Sequence, residues 1–231
     1  MFDLLISGIV IGVTIAVTLW AIANQRSLRD RFRQFRVARR PLLSLQSEAS
    51  APPNASDDFV RSGSVGQIAT FFGAGFLRPA SGTWASAITV ALAVGAYQAG
   101  WALAVPAGFV VATVLGFWAV PPYLRATRGE DPSEVVIDEV AGQLLALSFT
   151  VIPLWRHEVP DLLTGAWPGW VVPFVLFRLF DIWNPWLVGR ADRRGDAAGV
   201  MLDDLWAGLF AGIGSVALAG VWHGLVQPWL G

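Results

Sequence analysis

The sequence predicts an all-α fold, a polytopic helical membrane protein, and three observations favour this class. Of the 231 residues, 55% are hydrophobic and only 14% are charged, whereas an ordinary soluble domain carries about 25% charged residues. The mean hydropathy is +0.55. Long uncharged segments recur along the chain, and strand signals are weak throughout. We therefore expect about five membrane-embedded helical segments in the body of the protein, preceded by one N-terminal anchor helix.

The N-terminal region is predicted to hold this anchor. Residues 4–23 are uncharged, and twenty residues make a helix of about 30 Å, the thickness of the hydrocarbon core. Asp3 precedes the segment and Arg-rich sequence follows it directly, so we interpret it as a retained anchor and not as a cleaved signal peptide. Seven arginines between positions 26 and 40 indicate a cytoplasmic flank. This flank is either an amphipathic helix on anionic lipid or a solvated charge run.

A change in composition separates the anchor from the body. Residues 41–64 are polar and rich in Ser, Ala and Pro, which is typical of a linker. We therefore divide the chain into residues 1–64, which hold the anchor helix, the Arg-rich segment and the linker, and residues 65–231, which form a helical membrane domain.

The body contains five apolar segments, at residues 83–97, 101–120, 135–153, 167–183 and 201–225. The second, third and fifth are comfortably long enough to span a bilayer. If all five cross it, the loops at 121–134 and 184–200 lie on the same side as the N-terminal Arg cluster. The arginines in both loops agree with a cytoplasmic location.

Composition excludes several classes of function. The chain has no Cys, which rules out disulfides, thiolate metal sites and a cysteine nucleophile. A net charge of −1 provides no basic field for a polyphosphate backbone, so we expect no nucleic-acid partner. The two histidines, His157 and His223, lie in loop or terminal contexts, which argues against histidine catalysis.

Five carboxylates interrupt the apolar segments and are the strongest functional signal: Asp138, Glu139, Asp181, Asp203 and Asp204. Each costs about 2.5–3.5 kcal/mol at the middle of a bilayer, and less near an interface. In the topology above, all five lie within one or two turns of a cytoplasmic helix end. We therefore expect them to converge in one shallow site.

Two short runs resemble each other, DEVAG at 138–142 and DDLWAG at 203–208. In both, an acidic pair is followed about one turn later by Ala-Gly, and small residues let helix backbones approach closely. Four carboxylates brought together repel one another unless a divalent cation neutralises them, and an all-oxygen site suits Mg²⁺. We therefore predict a metal site of Asp138, Glu139, Asp203 and Asp204. The alternative is isolated charges that favour the dipoles of their helices.

Two further features are candidates for binding phosphate. Arg178 precedes Asp181 by three residues, so both project from one helical face, where Arg178 either neutralises Asp181 or binds a phosphate. The Gly-rich segment 71–86 includes Gly82 and Thr83 immediately before an apolar helix, which Ser81 or Thr83 could cap. Such a loop either cradles an anion at the helix N-terminus or is simply the turn of a membrane hairpin.

Four stretches of the chain together resemble the phosphatidylglycerophosphatase A family of bacterial membrane lipid phosphatases. They occur in the family's order and read GAGFLRPASGTWAS at 73–86, DPSEVVIDEVAGQLLAL at 131–147, FRLFDIWNPW at 177–186 and GVMLDDLWAGLFAG at 199–212. The resemblance implies Mg²⁺-dependent dephosphorylation of phosphatidylglycerophosphate to phosphatidylglycerol. It also implies a multi-pass protein of the bacterial inner membrane whose active site faces the cytoplasm, and whose partners are the bilayer and its lipid substrate.

Position by position, the resemblance implies that Asp138, Glu139, Asp181, Asp203 and Asp204 are the acidic site residues. Arg178 and the Gly82-Thr83 pair would assist them in substrate binding. The chain departs from the family pattern at Ser81, where Pro is usual, and at Asn184, where Lys is usual. The second departure removes a candidate phosphate-binding cation and places more weight on Arg178. Residues 1–64 lie outside the resemblance.

Elimination narrows the mechanism. Without Cys, a D-x-D-x-T motif or paired motif histidines, no covalent phosphatase route is indicated. Metal-assisted attack by water remains, with one carboxylate orienting the water; the sequence does not assign that base.

Two rival functions share features with this sequence. A CDP-alcohol phosphotransferase also uses clustered aspartates and a divalent metal, but its D-x2-D-G-x2-A-R pattern is not matched by DDLWAGLFAG. A cation transporter would carry acidic residues deep on several helices, and the outer halves of these segments carry none.

Overall fold

A computed structural model describes residues 55–127, 133–159, 166–194 and 196–226, and these residues are helical apart from short connections. The α-helices are α1 (Ala55–Ser62), α2 (Ser64–Ala69), α3 (Ser81–Gln98), α4 (Ala104–Ala126), α5 (Ile137–Arg156), α6 (Pro168–Trp183), α7 (Trp186–Asp192) and α8 (Ala197–Val221). A 3₁₀ turn at Ala74–Phe76 and a π-helical turn at Trp222–Val226 complete the set. Because these ranges contain no strand, the predicted all-α class is confirmed for them.

Helix α5 is the central element of the bundle. Its most apolar stretch is 61% buried inside the protein, against 28% for α4 and for α8, and it packs against α3, α4, α6 and α8. The contact with α8 depends on two glycines. A Cβ on Gly142 would lie 2.5 Å from the carbonyl oxygen of Asp204 on α8, and a Cβ on Gly208 would overlap the carbonyl of Gly142. The close approach of the two Ala-Gly segments, predicted from the sequence, is confirmed.

Fewer helices qualify as membrane spans than the five expected. Among the described residues, Ala104–Ala126, Ile137–Arg156 and Ala197–Gly224 are long and apolar enough, which are the three segments judged comfortably long from the sequence. Helices α6 and α7 form a pair bent by 57°, which makes a fourth span if the pair counts as one. Helix α3 does not qualify, because its serines and threonines and its terminal Tyr97 and Gln98 lower its mean hydropathy. The predicted N-terminal anchor lies outside the described residues.

One predicted helix end is wrong, and part of the predicted linker is helical. Helix α4 does not end before Pro121 but continues through Pro121 and Pro122 to Ala126. Tyr123 follows the prolines and is only 1% exposed within the apolar core. The free energy gained by this burial offsets the helix hydrogen bonds that are lost because proline has no N–H. In the predicted linker, residues 55–62 form helix α1, which packs on α2 and α4. The domain boundary at 64/65 stays a prediction.

One end of the bundle gathers the N-termini of α3, α5 and α8 and the C-terminal part of α6. Hydrogen bonds fix the end of α2 and the Gly-rich segment against the residues that precede α5. Val136 N–H donates to the Ala69 carbonyl at 2.9 Å, and Arg78 Nη1 donates to Ser133 Oγ at 2.8 Å. Three helix N-termini give this end a positive partial charge, which favours anionic groups there.

Candidate active site

A trio of buried carboxylates occupies this end of the bundle. Asp138, Glu139 and Asp204 each offer an oxygen, and these oxygens lie within 4.8 Å of one another. The three residues are 8%, 3% and 3% exposed, so the site is buried, and the shallow site expected from the sequence is wrong. The reason is that α5, which contributes two of the three, is the central helix. We call these three residues the carboxylate trio.

The donor set of the trio fits a hard divalent cation. Three carboxylates this close repel one another in a medium of low dielectric constant, and either protons or a cation must offset the repulsion. Asp138 Oδ1 is buried and accepts no hydrogen bond, which leaves a ligand atom available. All-oxygen sites of this kind suit Mg²⁺, Ca²⁺ or Mn²⁺.

Arg178 lies beside the trio with its donors largely unused. It is 5% exposed, and its Nη1 lies 2.9 Å from Asp181 Oδ2, the i,i+3 ion pair expected from the sequence. The approach lacks hydrogen-bond alignment, so Nε, Nη1 and Nη2 all remain without a hydrogen-bond acceptor. A buried guanidinium with three unused donors is suited to bidentate binding of a phosphate. Asp181 therefore balances the charge of Arg178 and leaves its donors without an aligned acceptor.

Gly82 brings the backbone of α3 against both charged groups. A Cβ at this position would overlap the Glu139 carboxylate and lie 3.2 Å from Arg178 Nη1. Thr83 Oγ1 is buried nearby on the first turn of α3 and has no hydrogen-bond partner. The predicted capping role is wrong: the N-cap is Ala80, which makes no side-chain cap bond. The Ser81 hydroxyl instead donates to the Ser133 carbonyl, because that segment packs over the helix start.

Asp203 does not join the trio. It is partly buried, and its Oδ1 accepts a hydrogen bond from the Asp204 N–H at 2.9 Å. The acidic side chains that act on it electrostatically include Asp192, Asp181 and Glu139. Asp203 and Asp181 therefore lie at the margin of the trio, and only three of the four predicted metal ligands are brought together.

Sequence reasoning missed three polar residues at this end of the bundle. Ser86 and Gln143 are fully buried and lack hydrogen-bond partners, and neither carries a charge whose cost in a membrane would have marked it. Asp192, at the end of α7, sits among arginines in the sequence GRADRRGD, which reads as a solvated loop. A search for uncharged polar residues one turn from the carboxylates would have found Gln143.

Comparison with known proteins gives the same assignment for most of the chain. The family model described as phosphatidylglycerophosphatase A matches residues 67–219. A Bacteroides thetaiotaomicron protein, described as a candidate phosphatidylinositol-3-phosphatase, is 37% identical over 151 residues, which cover 62% of this chain and 86% of that protein. Phosphatidylglycerophosphatase A of Haemophilus influenzae is 29% identical over 62% of this chain and 82% of its own length. No solved structure matches.

These matches bear on the rival functions. A second phosphatidylglycerophosphatase A, from Escherichia coli, is 30% identical over 35% of this chain and 41% of its own length. The matched residues contain the carboxylate trio, Arg178 and Gly82, and they favour the hydrolase over the phosphotransferase and the transporter. The chain belongs to the phosphatidylglycerophosphatase A family and is a phosphoric monoester hydrolase of lipid substrates.

Proposed function

We propose that this protein hydrolyses phosphatidylglycerophosphate to phosphatidylglycerol and phosphate in phospholipid biosynthesis, and that the reaction depends on Mg²⁺. The observation that carries the proposal is the placement of a buried carboxylate trio next to a buried arginine with unused donors. The first group binds a cation and the second binds an anion, and a phosphate monoester with its metal requires both.

The residues divide into two groups in this mechanism. Asp138, Glu139 and Asp204 would hold the metal ion, with Asp203 at their margin. A divalent cation held by these residues would supply positive charge to offset that of the phosphate. Arg178 donates to the phosphate oxygens, and Asp181 keeps its side chain oriented. The absence of a side chain at Gly82 lets the Glu139 carboxylate and Arg178 approach the first turn of α3, where the buried Thr83 hydroxyl would donate to the same anion.

The chemical step is direct attack by water. The water oxygen bonds to phosphorus as the ester bond to the lipid headgroup breaks, and the headgroup oxygen leaves with the electron pair and takes up a proton. One carboxylate accepts the proton of the attacking water. With no Cys in the chain, a thiolate phosphoenzyme is not available.

The comparisons also suggest a second candidate substrate. The Bacteroides thetaiotaomicron relative is described as a candidate phosphatidylinositol-3-phosphatase, and its substrate would also be a lipid phosphate monoester. Phosphate release by the full-length protein in mixed micelles should therefore be measured on phosphatidylglycerophosphate, phosphatidylinositol 3-phosphate and phosphatidic acid in parallel. We expect the highest kcat/KM on phosphatidylglycerophosphate. A preference for the inositol lipid would overturn the proposed substrate but not the hydrolase.

Chelation tests the metal requirement in the same assay. EDTA should abolish phosphate release and added Mg²⁺ should restore it, because the carboxylate trio cannot bind a phosphate dianion without a cation between them. Full activity after complete chelation would contradict the metal mechanism.

We further propose that the carboxylate end faces the cytoplasm at the bacterial inner membrane. Arg190, Arg193 and Arg194 follow the bend after α6, and Arg194 packs beside Gly199 in the first turn of α8, in line with the positive-inside rule. The absence of Cys makes a clean topology test possible. An impermeant maleimide should label Glu158→Cys in spheroplasts with an intact membrane and Arg193→Cys only after permeabilisation. The reverse pattern would overturn the orientation.

A further inference from the structure

Two buried polar side chains lie behind the carboxylate trio and have no role in the mechanism above. Gln143 on α5 and Ser86 on α3 are both 0% exposed. Gln143 Oε1, Gln143 Nε2 and Ser86 Oγ make no hydrogen bond to the described parts of the protein. A buried polar group left unpaired costs about 1–3 kcal/mol, so such a pair indicates a bound molecule.

The register of α3 against α5 places the two side chains at the same depth. Gly82 abuts Glu139 at the carboxylate end, and Ala93 and Leu147 share one apolar cluster farther along both helices. The two helices therefore run away from the trio in the same direction. Ser86 is four residues beyond Gly82 and Gln143 is four beyond Glu139, so each lies about 6 Å deeper into the bundle.

The chemistry of the pair fits a water molecule. A carboxamide and a hydroxyl each donate and accept, as water does, and a buried water needs two to four polar partners. Neither group carries the charge that a metal ion or a phosphate dianion requires. The next turn of α5 is apolar, since Leu147 packs in the core, which closes the space on the interior side.

We propose that Gln143 and Ser86 bind the attacking water on the interior side of the carboxylate trio. This inference rests on the proposed hydrolysis. The leaving oxygen of a lipid phosphate is joined to the headgroup and acyl chains, which remain outside the buried site. In-line displacement puts the nucleophile opposite the leaving group, and that position is the interior side. The bonds made and broken are those of the hydrolytic step described above.

The first test separates water binding from a structural role. Gln143→Met keeps the approximate shape of the side chain and removes both polar atoms, and Ser86→Ala removes the hydroxyl. With phosphatidylglycerophosphate in mixed micelles, we expect Gln143→Met to lower kcat about 100-fold, the scale of losing one preorganised polar group, with KM unchanged. The melting temperature should hold, because methionine keeps the volume of the side chain and opens no cavity.

The second test measures which nucleophile is used. Gln143→Ala leaves a cavity where water was held, so added methanol should compete better and the ratio of methyl phosphate to inorganic phosphate should rise above that of the wild type. Leu147→Ala is the matched control, since it opens a cavity one turn deeper on the same helix. It should lower the melting temperature and leave the product ratio unchanged.

The outcomes discriminate between the two proposals. Wild-type kcat in Gln143→Met, or an unchanged product ratio in Gln143→Ala, overturns the water site alone. A rise in KM at constant kcat shows that the pair binds a hydroxyl of the headgroup and also overturns it. A wild-type protein that releases no phosphate from any of the three lipid phosphates overturns the proposed function, and this assignment with it.

Discussion

The two acidic helix starts look alike in the sequence and differ in the structure. DEVAG on α5 supplies both acids to the carboxylate trio, whereas DDLWAG on α8 supplies only Asp204. The spacing to glycine explains the difference. Asp138 precedes Gly142 by four residues and Asp204 precedes Gly208 by four. Because these glycines pack against each other, Asp138 and Asp204 are the equivalent pair across the helix contact.

The remaining two acids fall on different sides of this pair. Glu139 follows its partner along the chain and faces Gly82 and Arg178 on α3 and α6. Asp203 precedes its partner, is partly exposed, and accepts a hydrogen bond from the N–H of Asp204. An acidic pair in an apolar helix therefore marks a site, but the register of the small residues decides which acid enters it.

The sharpest test of the comparison removes one charge from each acid of α8. We expect Asp204→Asn to lower kcat by about 1000-fold, the upper range for loss of one preorganised electrostatic group. Asp203→Asn should cost about tenfold, the lower range for a group that supports metal ligands. Phosphate release from phosphatidylglycerophosphate measures both, with melting temperatures to show that both variants fold. Equal losses would contradict the distinction drawn from register.

Arg178 provides the next largest effect. Lysine keeps the charge but not the planar fork, so Arg178→Lys should lose bidentate phosphate binding and lower kcat/KM about 100-fold, within the range for one electrostatic donor. Arg190→Lys is a matched control on an exposed arginine near the same end and should retain activity. Wild-type kcat/KM in Arg178→Lys would mean that the guanidinium serves only to neutralise Asp181.

The features that could be predicted from the sequence are those that would be energetically costly without a structural or functional reason. Five carboxylates in apolar helices were expensive enough to mark the site, and three of them meet in the trio. The three longest apolar segments were identified as spans in agreement with the structure. Neither result required knowledge of which helix lies at the centre.

The sequence could not predict features that depend on packing. Gln143 and Ser86 are uncharged and therefore inconspicuous in the sequence. They become energetically costly only because the fold buries them without hydrogen-bond partners. Helix α3 turns a face of serines and threonines inward, and the sequence, which is rich in small residues there, did not show which face would be buried. Pro121 and Pro122 predicted the end of α4. The burial of Tyr123, which extends the helix beyond them, depends on tertiary packing and is not apparent from local sequence.

Helix spacing at the α5–α8 contact gives a prediction about stability. Gly208→Ala places a Cβ against the carbonyl of Gly142, and overpacking of this kind costs about 1–3 kcal/mol. Gly95→Ala on α3 meets nothing within 4 Å and should gain up to about 1 kcal/mol in a helix interior. Chemical unfolding in detergent compares the two variants. Equal stability would show that the helices do not need this close approach.

The smallest effect concerns a third acid at the start of α8. Asp196 is the N-cap of that helix: its Oδ1 accepts a hydrogen bond from the Gly199 N–H at 2.7 Å, and the side chain is about half exposed. The hydrogen bond from Arg194, and next that from Gly199, lower the pKa of Asp196 below its usual range. Asp196→Ala should therefore cost about 0.5–1 kcal/mol, the lower part of the range for a lost cap.

The pH dependence of this small effect separates a structural acid from a functional one. A lowered pKa in the folded state contributes stability above the unfolded value of about 3.9, and that stability is lost as pH falls through the folded pKa. The difference in melting temperature between wild type and Asp196→Ala should thus be constant from neutral pH to about 5 and disappear in stronger acid. Phosphate release by Asp196→Ala at neutral pH should match the wild type. If activity fell instead, as we expect for Asp204→Asn, the acids at the start of α8 would act as one unit, and register would not be what distinguishes them.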